Sequence, residues 1–317
     1  MWPAVMREAR KVFGPRNRFG VHAFGIGAKR ARGHTRGYRT LIALVMRKQE
    51  RPRDRVPAVQ FSFKRRTLTV MPDVIATGQA ARATKGTKIA FTGLHPGASI
   101  MVENRYAACG CLMHRGDGRP SHVLTAGHLF RVDAVGTPVF GGIGNQVKQI
   151  GTLVANLLDP NPDLPFPMDA AAVELNAAGV NLANQTAAPV RLGGVVGSDD
   201  IGGLDVQAYL ATSHDFSRET TTNDEPFSFP NMQSAVRGRY EVTNVVRTDG
   251  AITLEGDSGT VLATADPSRG AAGLCIGVVG TAMSLFDPLF RARKYLSQEL
   301  GFALKLWPPK PTENDDN

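Results

Sequence analysis

The sequence predicts a mainly β protein, with a small basic α/β module ahead of it and a helix near its carboxy end. Three observations carry this expectation. The apolar residues come in short runs separated by turn residues, with 34 Gly and 20 Pro in 317 residues, a pattern of many short strands rather than long helices. Basic residues crowd the amino terminus: residues 1–66 hold eighteen Lys/Arg and three Asp/Glu, a net of +15, while the remainder of the chain carries −6. An amphipathic helical pattern follows Pro288.

The elements follow in order. Residues 1–18 read as a basic arm with a short helix around Val5–Val12. Val21–Gly27 alternates like a strand, Ala28 to Gly37 is basic and Gly-bearing, and Tyr38–Met46 reads as a second, largely apolar strand. Gln49–Pro57 is a Pro-punctuated loop, and Ala58–Phe63 and Thr67–Val70 are further strands leading to Pro72–Gly78. Gly25-x-Gly27 lacks the third Gly and the following helix of a phosphate loop. The polar stretch 79–98 suits a linker into a second domain, which places a basic arm and α/β domain at 1–80 and a second domain at 81–306. Short strands then recur at Ser99–Val102, Ala107–His114, His122–Thr125, Pro138–Phe140 and Gln149–Leu157. Val190–Val196, Asp205–Ala211 and Gly238–Val246 continue the pattern, interrupted by a long polar loop over Ser213–Gln233. Thr260–Ala263 and Leu274–Thr281 are apolar strands. Pro288 then opens a helix with Leu289, Tyr295, Leu296 and Leu300 on one face and Gly301 as its stop. The Pro-rich, then acidic tail 307–317 reads as disordered.

Composition excludes some function classes. No apolar run reaches membrane-span length, and the amino terminus has no signal-peptide pattern. Three cysteines, Cys109, Cys111 and Cys275, read as free thiols of a cytoplasmic protein, a Cys109–Cys275 bridge being the alternative. Cys-x-Cys without a His at ligand spacing is a poor zinc site. The basic amino terminus reads either as a contact for nucleic acid, an acidic membrane surface or an acidic partner, or as a solvated, partly disordered arm.

The chemistry centres on Leu254-Glu255-Gly256-Asp257-Ser258-Gly259. Gly-Asp-Ser-Gly is also an ordinary turn sequence. As a nucleophile loop, however, it presents Ser258 Oγ, with the N–H groups of Gly256 and Ser258 converging as an oxyanion hole. Such a loop requires a base and a buried acid. Of seven histidines, His128 ends an apolar strand after small residues (Leu124-Thr125-Ala126-Gly127), which leaves its imidazole room to face a cleft. Asp169 opens the apolar strand Ala170–Leu175; buried there, it needs a donor, and a His Nδ1–H is the natural one.

The order His128, Asp169, Ser258, with Thr-Ala-Gly-His, Asp-Ala-Ala-Ala-Val and Gly-Asp-Ser-Gly around them, resembles the chymotrypsin-like (trypsin-like, S1-type) serine peptidases over roughly residues 85–305. The layout of Val21–Gly27, Leu41–Met46, Val59–Phe63, Asp73–Gly78 and His95–Ile100 resembles the bacterial branch related to plant NARROW LEAF proteins, which carry a small α/β domain ahead of the peptidase barrels. Gly277-Val278-Val279 and the Pro288 helix also fit that branch. The resemblance implies two antiparallel six-stranded barrels with a catalytic triad between them and hydrolysis of peptide bonds without metal or cofactor. It also implies a primary specificity pocket lined by Ile252, Thr253, Gly280, Thr281 and Ala282. With no Asp near Ile252, a small or medium apolar side chain is the expected preference over Lys or Arg. Leu129 stands where secreted members carry a bridging Cys, and the Ile-Val-Gly-Gly activation sequence is absent. Insertion of a new amino terminus against Asp257 is therefore not expected, and control by the amino-terminal domain or by homo-oligomerisation is the alternative. The rival reading is an inactive protease-fold binding module acting through its basic amino-terminal domain.

Overall fold

In a computed structural model that describes residues 1–31, 34–48, 55–77, 90–187, 190–223, 227–254 and 256–308, three sheets share the work of building the site. The first barrel runs in the order Cys111–His114, His122–Thr125, Ala171–Leu175, Gln146–Asn156, Pro138–Gly144, Ser99–Val102, Arg105–Ala108. Its last strand runs on in the chain into its first through Cys109 and Gly110, with no ladder between the two among the described residues, which leaves it a half-barrel. The second barrel closes by hydrogen bonds alone. Asp205–Leu210, Thr220–Asn223, Val246–Thr248, Met283–Pro288, Ala271–Val279 and Val261–Thr264 form a ring of six, Ala208 standing opposite Leu262 where it closes. The fold is thus mainly β, with one closed six-stranded antiparallel barrel and a half-barrel beside it.

The third sheet has the order Gly238–Thr243, Phe227–Ser234, Val21–Ala31, His34–Val45, Asp73–Ala76. Two of its five strands come from residues 227–243, well inside the second half of the chain. Phe24 stands opposite Ser228 and Gly25 opposite Phe227. Both faces of this sheet are covered, which is why Leu41-Ile42-Ala43-Leu44-Val45 is apolar throughout instead of alternating. One face packs under α1 (Trp2–Phe13), whose Val5, Ala9 and Phe13 recur every four residues and are fully buried. Phe13 and Phe24 meet with ring centroids 5.8 Å apart. The other face, with Ala23, Ile42, Leu44, Phe227, Phe229 and Val242, shares a core with Ile276, Val279 and Leu285 of the second barrel.

Several expectations change. Residues 28–31 and 34–37 extend the two strands on either side, and residues 32 and 33 lie outside the described residues. The linker expected over 79–98 lies outside the described residues as far as 89, and its remainder belongs to the first barrel. Phe91–Gly93 is a strand pairing with Pro138–Gly144, and Leu94 and Ala98 are buried. The polar loop over Ser213–Gln233 contains strands at Asp215–Phe216, Thr220–Asn223 and Phe227–Ser234; their Thr and Phe content is β-favouring, and their polarity obscured it. A second helix, α2 (Ala177–Gln185), was not foreseen; Asn176 caps it by accepting the Gly179 N–H at 3.0 Å. The expected carboxy-terminal helix is α3 (Leu289–Leu300), stopped by Gly301 in the left-handed region at φ 75°. The chain beyond it is ordered through Trp307, the first residue assigned to the tail, whose indole N–H donates to Gly118 O at 3.0 Å; residues 309–317 lie outside the described residues. No helix among the described residues is long and apolar enough to cross a membrane.

Candidate active site

His128 and Asp169 come from the first barrel and Ser258 from the loop that enters the second. His128 follows the strand His122–Thr125 in a single 3-10 turn, Gly127–Leu129. Only glycine fits before it, because a Cβ on Gly127 would lie 2.4 Å from Asn156 Oδ1. Asn156 in turn donates to Gly127 O at 3.0 Å and accepts from Leu158 N, fixing the His loop to the segment that precedes Asp169. Asp169 precedes the strand Ala171–Leu175 and is fully buried.

The three side chains meet. His128 Nδ1 lies 2.8 Å from Asp169 Oδ2, and His128 Nε2 lies 2.9 Å from Ser258 Oγ. Asp169 Oδ1 accepts the backbone N–H of His128 at 2.8 Å, so one carboxylate orients both the ring and the backbone of that residue. His128 and Ser258 are 2 % and 1 % exposed, which leaves little water to compete for these bonds.

Ser258 is pinned between the barrels. Its carbonyl accepts Ala108 N–H at 2.8 Å, and Gly259 N–H donates to Cys275 O at 2.8 Å. A Cβ on Gly259 would lie 2.2 Å from Thr125 Oγ1 and 2.6 Å from Ala108 O, so the second glycine of the motif is where the nucleophile loop presses on the first barrel. Gly256 has φ 105°, a conformation that side chains rarely adopt. Glu255, whose charge would matter beside an oxyanion site, lies outside the described residues. The Asp257 carboxylate is buried and already engaged: it accepts Thr212 N–H and Thr212 Oγ1–H, both at 3.1 Å, and Leu254 N–H at 2.8 Å. Burial raises its pKa above the usual carboxylate value, and these donors work in the opposite direction.

The residues assigned to the specificity pocket fall on two neighbouring walls. Gly250 N–H donates to Ala282 O at 3.0 Å and Ala251 N–H to Thr281 O at 3.2 Å. Ile252 and Thr253 are buried, whereas Thr281 and Ala282 are exposed and Gly280 is half-buried. Ser284 organises the junction: its Oγ accepts Ile252 N–H at 2.9 Å and Thr253 N–H at 3.0 Å, and lies 2.8 Å from Thr253 Oγ1. A cavity of about 730 Å³ opens beside this junction, between the amino-terminal sheet and the second barrel, with Ile75, Thr77, Arg247, Gly250 and Met283 in its lining.

Two polar neighbours of Asp169 lie outside every sequence motif. Tyr240 O–H donates to Asp169 Oδ2 at 2.8 Å, and Asp169 N–H donates to Asp287 Oδ2. Asp287 is itself buried and contacts Arg291 Nη2 at 3.4 Å, one helical turn on. Burial pushes the Asp287 pKa up to about 6, with Arg291 opposing and the Asp169 charge adding to the rise. The three cysteines are buried free thiols, all with pKa raised by burial.

No protein-family model matches the sequence, and no curated protein matches it. Among solved structures, the chain is similar to Thermobifida fusca protease A, at 20% identity and TM-score 0.45 over 67% of this chain and 97% of that one. It is similar to Nocardiopsis protease at 18% identity and TM-score 0.45, over 67% and 97% of the two chains. It is also similar to a glutamic acid specific serine protease at 17% identity and TM-score 0.44, over 68% and 100%.

Proposed function

We propose that the chain is a serine endopeptidase that hydrolyses peptide bonds through His128, Asp169 and Ser258. The observation that carries this reading is the relay of distances from Ser258 Oγ to His128 Nε2 (2.9 Å) and from His128 Nδ1 to Asp169 (2.8 Å), both within proton-transfer reach. In this mechanism Ser258 Oγ attacks the substrate carbonyl as His128 Nε2 takes its proton. Asp169 keeps the Nδ1–H tautomer and stabilises the imidazolium, and His128 then returns the proton to the leaving amine. The acyl group remains on Ser258 until water, activated by the same imidazole, releases it. The N–H groups of Gly256 and Ser258 are proposed as the oxyanion donors.

The walls at Ile252, Thr253 and Gly280–Ala282 are proposed as the primary specificity site, and the absence of a carboxylate among them favours a small or medium apolar substrate side chain. The α/β sheet at the amino terminus supports placement in the branch related to plant NARROW LEAF proteins, with residues 81–306 as a peptidase unit that lends the hairpin Phe227–Thr243 to that sheet. Three buried, unpaired thiols support an intracellular setting. A fluorophosphonate probe tests the reading: it labels the native chain and leaves Ser258→Ala unlabelled. A native chain that resists the probe would leave the barrels as a binding module. The net of +15 over residues 1–66 favours an additional contact with nucleic acid or an acidic partner; a gel shift that is absent even at low salt removes nucleic acid from that role.

A further inference from the structure

We infer that Tyr240 is a positioning residue for the triad, holding the Asp169 carboxylate from a strand that belongs to the amino-terminal sheet. The inference rests on the peptidase reading for its catalytic meaning, and on geometry for the rest. Gly238–Thr243 is the edge strand of that sheet, paired with Phe227–Ser234 and through it with Val21–Ala31. Alternation along the strand sends neighbouring side chains to opposite faces. Glu241 faces outward to α1, where Arg10 Nη2 lies 2.9 Å from its carboxylate. Tyr240 faces inward, and its hydroxyl reaches Asp169 Oδ2, the same oxygen that holds His128 Nδ1. Its ring stacks beside the His128 imidazole, centroids 6.2 Å apart and planes 18° from parallel.

The turn of the same hairpin is fastened to the His128 loop. Ser234 Oγ–H donates to His128 O at 3.2 Å. Arg237, its side chain 4 % exposed, donates to Phe130 O at 2.9 Å and to Leu158 O at 3.3 Å, and pairs with Asp159. The hairpin therefore spans the segments that carry His128 and Asp169 and closes over the acid end of the relay. Burial and the neighbouring Asp169 charge keep the Tyr240 phenol protonated, its pKa well above the ordinary tyrosine value, so it serves as donor throughout. A carboxylate whose Oδ2 accepts from both Tyr240 and His128 resists rotating away from the imidazole.

The test uses the full chain with Tyr240→Phe, which keeps the ring and deletes the donor. Loss of one of the three donors to Asp169 is expected to slow the fluorophosphonate reaction by about tenfold to a hundredfold. The probe concentration at half-saturation stays as in the native chain, and the melting temperature falls by only the few degrees that one buried hydrogen bond is worth. The downfield proton resonance of His128 Nδ1–H moves in the variant, and in the unaltered chain that proton shows cross-relaxation with the Tyr240 hydroxyl proton. A variant that reacts at the native rate with an unmoved resonance overturns the inference, as does absence of the cross-relaxation in the unaltered chain. A native chain that resists the probe, but whose resonance moves on substitution, ends the peptidase reading and leaves the positioning of Asp169 standing.

Discussion

The two ends of the relay are held in place by different means. The Ser258 end is held mainly through backbone groups. Its loop is fixed by backbone hydrogen bonds to Ala108 and Cys275, and the preceding Asp257 is satisfied by Thr212 and Leu254. The Asp169 end depends on side chains. Tyr240 arrives from a sheet whose other strands start at residue 21, and Asp287 from the last strand of the second barrel. A loop held through its backbone needs close approach, and the glycines around Ser258 mark it in the sequence. Asp169, whose carboxylate accepts from Tyr240, 71 positions away, and whose backbone N–H donates to Asp287, 118 positions away, has almost no such mark, and its support is open to influence from the amino-terminal module.

The largest expected effect breaks the Asp169 end outright. Asp169→Asn puts an amide where three donors converge: His128 N–H, His128 Nδ1–H and Tyr240 O–H. Its NH2 must face at least one of them, and where it faces Nδ1 the imidazole turns to the tautomer that cannot accept from Ser258. Turnover should fall by about 10⁴-fold with substrate affinity little changed. A steady-state comparison that finds less than a tenfold loss would mean that Asp169 does not orient His128.

A second substitution asks how far that dependence reaches. Phe13→Ala removes a fully buried ring that packs on Phe24, at a cost of about 3–5 kcal/mol in stability. The strand carrying Phe24 pairs directly with Phe227–Ser234, so the module should loosen together with the hairpin that carries Tyr240. Hydrogen exchange is expected to rise at Phe227–Thr243 while the strands Val261–Thr264 and Ala271–Val279 near Ser258 stay protected. Uniform exchange over both regions would show one cooperative unit and erase the contrast between the two ends.

Much of the frame was legible from the residues alone, and the reasons differ by element. The strands around His128 and Ser258 are short and apolar, and each motif carries glycines that the structure explains by contact: Gly127 against Asn156, Gly259 against Thr125 and Ala108. The helix α3 had both a start and a stop signal in Pro288 and Gly301. The five-stranded sheet was not legible, because Phe227–Ser234 pairs with a strand some two hundred positions earlier and Gly238–Thr243 joins the sheet only through it. Tyr240, between Arg239 and Glu241, has the local sequence of a surface strand; its one sign is the two-residue spacing to buried Val242. Ser284, which joins Ile252 and Thr253 through three hydrogen bonds, likewise lies in an ordinary strand sequence.

Acidity distinguishes the two ends further. Asp287 has its pKa pushed up to about 6 from a usual value of 3.8. Between those values the folded chain holds a proton that the unfolded chain has released, so its contribution to stability is full below about pH 4 and is lost as the pH rises through 6. The loss amounts to at most about 3 kcal/mol. His22 and His122, pushed down to about 4 by burial, act in the opposite sense over the same range, and the raised pKa of Asp257 acts in the same sense. The parent's pH profile therefore mixes signs, and the difference between Asp287→Asn and the parent isolates one of them. Urea unfolding at pH 4.5 and pH 7 should show the variant gaining on the parent as the pH rises. A difference that stays flat would mean that Asp287 ionises as an ordinary carboxylate.

The smallest effect belongs to the Ser258 end. Thr212→Val deletes one hydroxyl donor to Asp257 and keeps the backbone N–H of residue 212 and that of Leu254. With two donors retained, the loss should be about 1–2 kcal/mol, and the Asp257 pKa should rise further because a bond that favours its charged form has gone. The nucleophile loop is also held by Ala108 and Cys275, so probe labelling of Ser258 at neutral pH should fall less than in Tyr240→Phe. If Thr212→Val instead slows labelling more than Tyr240→Phe does, the order is reversed: the backbone bonds would not suffice to hold the Ser258 loop, and the serine end would be the more delicate of the two.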